Sequence, residues 1–134
     1  MYKPILCLDF DGVCHSYTSG WKGADVIPDP PVPGLFDFLE RASTVFDIQI
    51  YSSRSNQPGG IEAMQKWFCE HYTIWLYQYQ PEPEKRHSVE PSWIKFPTEK
   101  PAAFITLDDR AITFNGTFPD VDSLRSFQPW YRSG

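Results

Sequence analysis

A chain of 134 residues, 41% hydrophobic and 16% aromatic, has the size and composition of one folded domain spanning residues 1–134, with no room for a second core. Its net charge of −5, with no basic run longer than Lys85-Arg86-His87, argues against a general nucleic-acid binder. Three cysteines, an odd count, suit free thiols in a reducing compartment. No apolar stretch reaches membrane-spanning length and a strand begins within a few residues of Met1, so a cytoplasmic protein without signal peptide or membrane contact is expected.

Residues 4–8 are a near-continuous apolar run, the pattern of a parallel strand buried on both faces. The run enters Asp9-Phe10-Asp11-Gly12, which sets two carboxylates one residue apart ahead of a glycine turn. On extended chain that spacing puts both on one face. Like charges so close repel unless a cation lies between them, and hard oxygen donors with few histidines nearby suit Mg²⁺ better than zinc.

Residues 14–33 read as loop, because Pro28, Pro30, Pro31 and Pro33 exclude a helix. Leu35, Phe36, Phe38, Leu39 and Ala42 then carry helical spacing over residues 34–42. A second strand is expected over 45–51, ending in Ser52-Ser53-Arg54-Ser55-Asn56, and a second helix from about Gly60 to His71. The aromatic run 72–79 fits either a strand or a helix end, and the proline-punctuated 81–91 reads as exposed loop. A short strand over 93–96 and a longer one over 102–107 follow, the latter ending in Asp108-Asp109-Arg110. Residues 112–118 read as a hairpin about Asn115-Gly116. A last helix is expected to start at Asp120 as N-cap, with Val121, Leu124 and Phe127 turned inward.

Strands alternating with helices predict an α/β fold, a Rossmann-like three-layer sandwich about a mostly parallel central sheet. Ligands of such sheets collect beyond the carboxyl ends of the strands. Three apolar runs deliver oxygen-rich groups to that one edge: Asp9 and Asp11, then Ser52-Ser53-Arg54, then Asp108-Asp109.

The segments Leu8-Asp9-Phe10-Asp11-Gly12-Val13, Ile50-Tyr51-Ser52-Ser53-Arg54 and Ile105-Thr106-Leu107-Asp108-Asp109-Arg110-Ala111 resemble, in order, the first, second and fourth motifs of the haloacid dehalogenase superfamily. The resemblance implies a Mg²⁺-dependent phosphomonoester hydrolase working through an aspartyl-phosphate. Asp9 would be the nucleophile and Asp11 the general acid/base. Ser52 would hydrogen-bond a phosphoryl oxygen, and Phe10, Ser53 and Arg54 would contact substrate. Mg²⁺ would be held by Asp9, the main-chain carbonyl of Asp11, Asp108 and Asp109. The third motif is a lysine; Lys100 is the best match, with Lys85 or Lys95 as substitutes and Arg54 or Arg110 as other sources of charge.

Arg54 fits either a second anionic group of the substrate or an ion pair, and Arg110 a brace for the metal loop. His15 is either a plain loop residue or a leaving-group contact, and Cys7 and Cys14 are packing residues. The loop carrying Tyr17 and Trp21 is too short for a cap domain and forms at most a flap. An open site of this kind suits a phosphate on something large, such as a protein or a nucleic-acid end, or a site closed by an oligomeric partner. The substrate itself, small molecule or macromolecular end, is not readable from the chain. Phosphotransfer is an alternative outcome, and a non-catalytic binding module of the same fold is a rival. A receiver-like domain phosphorylated on Asp9 is disfavoured by Asp11, which would hydrolyse the phosphate it must keep.

Overall fold

The computed structural model describes residues 2–132. The apolar run after Pro4 forms β1 (Ile5–Leu8), and β2 (Asp47–Ile50) lies parallel to it, with Leu6 opposite Ile48 and Leu8 opposite Ile50. The outer side of β2 takes β3 (Ile94–Lys95), and the other side of β1 takes β4 (Ile105–Leu107). The sheet has the order β3-β2-β1-β4 with every pairing parallel. The chain thus winds outward from β1 through β2 to β3, then returns to the far side of β1. Connections on the two sides of such a reversal diverge, and a crevice opens beyond the carboxyl ends of β1 and β4.

Helical periodicity sets the layer on the sheet. α1 (Leu35–Ala42) buries Leu35, Phe36, Leu39 and Ala42, and α2 (Gly60–Leu76) buries Met64, Trp67, Phe68 and Tyr72. Because Tyr72 continues the buried stripe, α2 runs past the expected end at His71, and the aromatic run resolves as helix through Leu76. Both helices join Leu6, Leu8, Ile48, Ile50 and Ile94 in one core that also holds Phe10 and Cys14.

The third layer expected from sequence is not built by these helices. On the opposite face Cys7 is buried, Ile5, Asp47 and Gln49 are half-buried, and Lys95 and Thr106 are exposed. α3 (Val121–Arg125) starts at Asp120 as expected, its carboxylate accepting the Ser123 N–H at 3.1 Å. It nevertheless buries no residue, and Val121, Leu124 and Phe127 stand exposed instead of inward.

The hairpin over 112–118 is also absent. Asn115 accepts the Thr117 N–H and the Phe114 and Phe118 rings lie 5.0 Å apart, but no strand flanks the turn. Two short strands without a face to pack on are marginal in water. The last sheet strand begins only at Ile105, because the Ala103 N–H turns back to the Pro101 carbonyl. Among the described residues no helix is long and apolar enough to cross a membrane.

One packing constraint links this frame to the site. Ser53–Asn56 forms a 3-10 turn after β2, and it presses directly on the start of α2. A Cβ on Gly60 would lie 1.9 Å from the Arg54 carbonyl oxygen. In an ordinary helix Gly→Ala gains about 1 kcal/mol. Here Gly60→Ala is expected to lose about 1–3 kcal/mol by overpacking; an unchanged or raised urea midpoint would refute the close approach.

Candidate active site

The crevice at the reversal carries the acidic groups. Asp9 leaves β1, while Asp108 and Asp109 leave β4, and each offers one oxygen such that all three lie within 4.8 Å of one another. With Asp11 they line a cleft of about 300 Å³. Its remaining walls are Tyr17 and Trp21 from the flap, Ser53, Arg110 and Tyr131. An apolar groove of about 280 Å³ between Phe36, Trp75 and His71 lacks such a cluster of ligating oxygens.

Three carboxylates in so small a space are electrostatically costly. Burial of Asp9, then its pairing with Asp109 and the charge of Asp108, push the Asp9 carboxyl from its ordinary value of 3.8 up to about 8. The Asp109 side chain is only 1% exposed. Its Oδ2 accepts the Tyr131 hydroxyl at 2.8 Å, but its Oδ1 is buried with no hydrogen-bond partner. A buried acceptor left unmatched costs about 1–3 kcal/mol, more when charged. Oxygen-only donors, an orphaned carboxylate oxygen and excess negative charge together fit a hard divalent cation such as Mg²⁺. The Asp11 carboxylate stands outside the cluster.

Asp11 is held by other means. Arg54 donates from Nε to Asp11 Oδ2 at 3.0 Å and from Nη2 to Oδ1 at 3.1 Å, a two-pronged fork. His15 Nδ1 lies 2.9 Å from the same Oδ1, and the Asp29 backbone N–H donates to His15 Nε2 at 3.0 Å. A backbone N–H can only donate, so Nε2 accepts and the ring proton sits on Nδ1, facing Asp11. His15 is therefore neither a plain loop residue nor a leaving-group contact; it is fully buried between two aspartates.

Several sequence expectations change place. Arg54 is fully buried; Nη1 donates to the carbonyls of Gly23, Ala24 and Val26, and Trp21 lies over the guanidinium at 4.6 Å. It forms the ion pair, not the substrate contact. Ser52 is buried, its Oγ accepting the Arg54 N–H at 3.0 Å and facing Met64 Sδ, so it caps the turn; the exposed Ser53 is the serine on the cleft. The Phe10 side chain is core, packed edge-on to Trp67, and only its N–H reaches the site, donating to Asp9 Oδ1 at 2.9 Å.

The lysines lie elsewhere. Lys100 is exposed, absent from the cleft walls, and its charge is felt at Cys7. Lys85 pairs with Glu82 and Lys95 with Asp47. Arg110 is the cation on the cleft wall, donating its N–H to Asp108 Oδ1 and its Nη2 to the Tyr131 hydroxyl. Asp29, Trp130 and Tyr131 escaped the sequence reading. Trp130 and Tyr131 lie more than a hundred residues from the first motif, and no local pattern announces their return to it.

Comparison with known proteins gives no further anchor: no protein-family model, no curated protein and no solved structure matches the chain.

Two outcomes follow from these charges. A carboxyl raised in the folded state binds more protons folded than unfolded between pH 3.8 and about 8, so Asp9 lowers stability progressively as pH rises through that window. In chelator, Asp9→Asn is expected to flatten this slope and raise the melting temperature at pH 8 by about 3–5 °C, the equivalent of about 1 kcal/mol; a mutant melting below wild type there would contradict it. Removal of the fork by Arg54→Ala is expected to lose about 3–5 kcal/mol of stability in urea. Arg54→Lys should recover little of it, because an ammonium cannot reproduce a planar fork. A loss under about 1 kcal/mol would show the fork to be dispensable.

Proposed function

We propose that the chain is a Mg²⁺-dependent phosphomonoester hydrolase in which Asp9 is the nucleophile and Asp11 the general acid/base. The observation that carries this reading is the set of Asp9, Asp108 and Asp109 oxygens at the sheet's reversal point, with one Asp109 oxygen buried and unpartnered. The parallel α/β sheet supports a Rossmann-like assignment, and the order of the three motifs supports the haloacid dehalogenase resemblance.

Asp9, Asp108 and Asp109 would hold Mg²⁺, with the Asp11 main-chain carbonyl as a further donor. Bound there, the ion would supply the positive charge that lets a carboxylate meet a phosphate dianion. The Asp9 carboxylate attacks phosphorus, forming one P–O bond as the ester P–O bond breaks. Asp11 would take up a proton from solvent, give it to the departing oxygen, and then as the carboxylate take one from the water that opens the aspartyl-phosphate. Arg54 and His15 fix the Asp11 rotamer for both tasks. Ser53 and Arg110 line the cleft and would be the donors that meet phosphoryl oxygens. A flap in place of a cap domain leaves the mouth open to a small phosphorylated molecule or a macromolecular end, in a protein read as cytoplasmic.

A second reading, a metal- and phosphate-binding module without turnover, draws support from one feature: Lys100, Lys85 and Lys95 all lie off the cleft walls. Phosphate release from an aryl phosphate separates the two. Turnover is expected with Mg²⁺, not with chelator, and not in Asp9→Asn. Asp11→Asn should lower it by about 10²–10⁴-fold, with some loss of stability because the buried Arg54 loses its countercharge. Wild-type turnover by Asp9→Asn would overturn the mechanism, and a folded, Mg²⁺-binding wild type inert towards every phosphomonoester would hand the site to the binding module.

A further inference from the structure

Residues 111–128 are all exposed, and α3 within them buries nothing. Then Pro129 is buried, and a 3-10 turn, Trp130–Arg132, sits against the opposite end of the chain. The Trp130 indole N–H donates to the Gly12 carbonyl at 2.7 Å. The Tyr131 hydroxyl donates to Asp109 Oδ2 at 2.8 Å and receives Arg110 Nη2 at 3.3 Å. Its ring stands edge-on to Tyr17, centroids 5.9 Å apart.

Gly12 is the socket for this contact. Its φ of +82° lies in the left-handed region, and a Cβ there would come within 2.6 Å of Tyr131 Cε1 and 2.4 Å of Asp109 Oδ2. The glycine of the first motif therefore makes room both for a carboxylate of the cluster and for the aromatic ring that touches it. The long exposed excursion thus returns to the cleft at Pro129, which is buried, and at the half-buried Tyr131.

We propose that the Trp130–Tyr131 turn is a C-terminal latch on the metal cleft, with Tyr131 a positioning residue that engages Asp109 Oδ2 and leaves Oδ1 turned to the cation. The inference rests on the metal reading given above. Outer-shell donors of this kind fix a ligand's rotamer before the ion arrives, and their loss commonly lowers metal affinity about 10- to 100-fold. A plug that blocked the cleft would engage both oxygens; here the phenol takes Oδ2, and Oδ1 is buried without a donor.

The test is Mg²⁺ titration by calorimetry on the full chain. Tyr131→Phe keeps the ring against Tyr17 and Gly12 and removes only the hydroxyl. It is expected to weaken Mg²⁺ binding about tenfold or more, and without cation to lower the urea midpoint modestly, because Asp109 Oδ2 loses its donor. Trp130→Phe, which removes the donor to Gly12, is expected to weaken it in the same direction. Wild-type affinity in Tyr131→Phe would overturn the latch while leaving the metal site standing, and tighter binding would identify the tyrosine as a plug. A wild type that takes up no Mg²⁺ would remove the metal reading itself, and the latch with it.

Discussion

A guanidinium withdrawn from water costs several kcal/mol unless its N–H groups find acceptors, and Arg54 has no exposed surface at all. Two separate pieces of chain supply those acceptors. The turn after β1 gives both oxygens of Asp11, the flap gives the carbonyls of Gly23, Ala24 and Val26, and Trp21 closes over the plane of the group. The backbone beneath is fixed by the Ser52 cap and by Gly60, which lets α2 start against the Arg54 carbonyl. A flap that is mostly irregular and rich in proline thus takes its shape from one buried cation. His15 and Asp29 fasten its other end, and the Trp67 indole ties the Asp29 carbonyl to α2.

Commitment of Arg54 to Asp11 decides the electrostatics of everything beside it. Asp11 has its countercharge, whereas Asp9, Asp108 and Asp109 share the cleft with Arg110 alone among the cations on its walls. Arg110 is 60% exposed and its Nε stands 3.8 Å from Asp109, so solvent screens most of its effect. Burial and the neighbouring carboxylates favour the protonated form of Asp9, and on the proposed reading a divalent cation would relieve the same excess charge. The two compete, so cation affinity should strengthen with rising pH as Asp9 loses its proton.

What the sequence made legible was whatever is periodic or local. β1, β2, α1 and α2 announced themselves because each buries a face at a regular spacing, and the three carboxylate groups sat at strand ends where chain order alone places them. Direction of side chains was not legible. Ser52 and Ser53 are adjacent and chemically identical, and only the turn geometry makes the first a cap and the second a wall of the cleft. Arg54 faces inward because the flap's carbonyls wait there, which no short pattern encodes. The C-terminal part misled for the opposite reason: its hairpin and inward helix face obey local rules, but no strand flanks the turn and α3 buries no residue.

The exposure of β4 bears on how the cleft works. Asp9 hangs from β1, paired on both sides and buried, whereas Asp108 and Asp109 hang from β4, an edge strand whose Ile105, Thr106 and Leu107 are all exposed. Ile105 and Leu107 share the face of Leu6 and Leu8, yet α1 and α2 do not cover them. One wall of the cleft is therefore far more firmly held than the other. Any ligand that bridges Asp9 to the Asp108-Asp109 pair cross-links a core strand to a loosely covered one, so its binding energy is also folding energy for β4. The contact of Tyr131 with Asp109 acts along the same line from the opposite direction, tying the weaker wall to the turn at Gly12 that follows the stronger. On the proposed metal reading, local stability and ligand affinity at this cleft would be coupled through the marginal packing of β4.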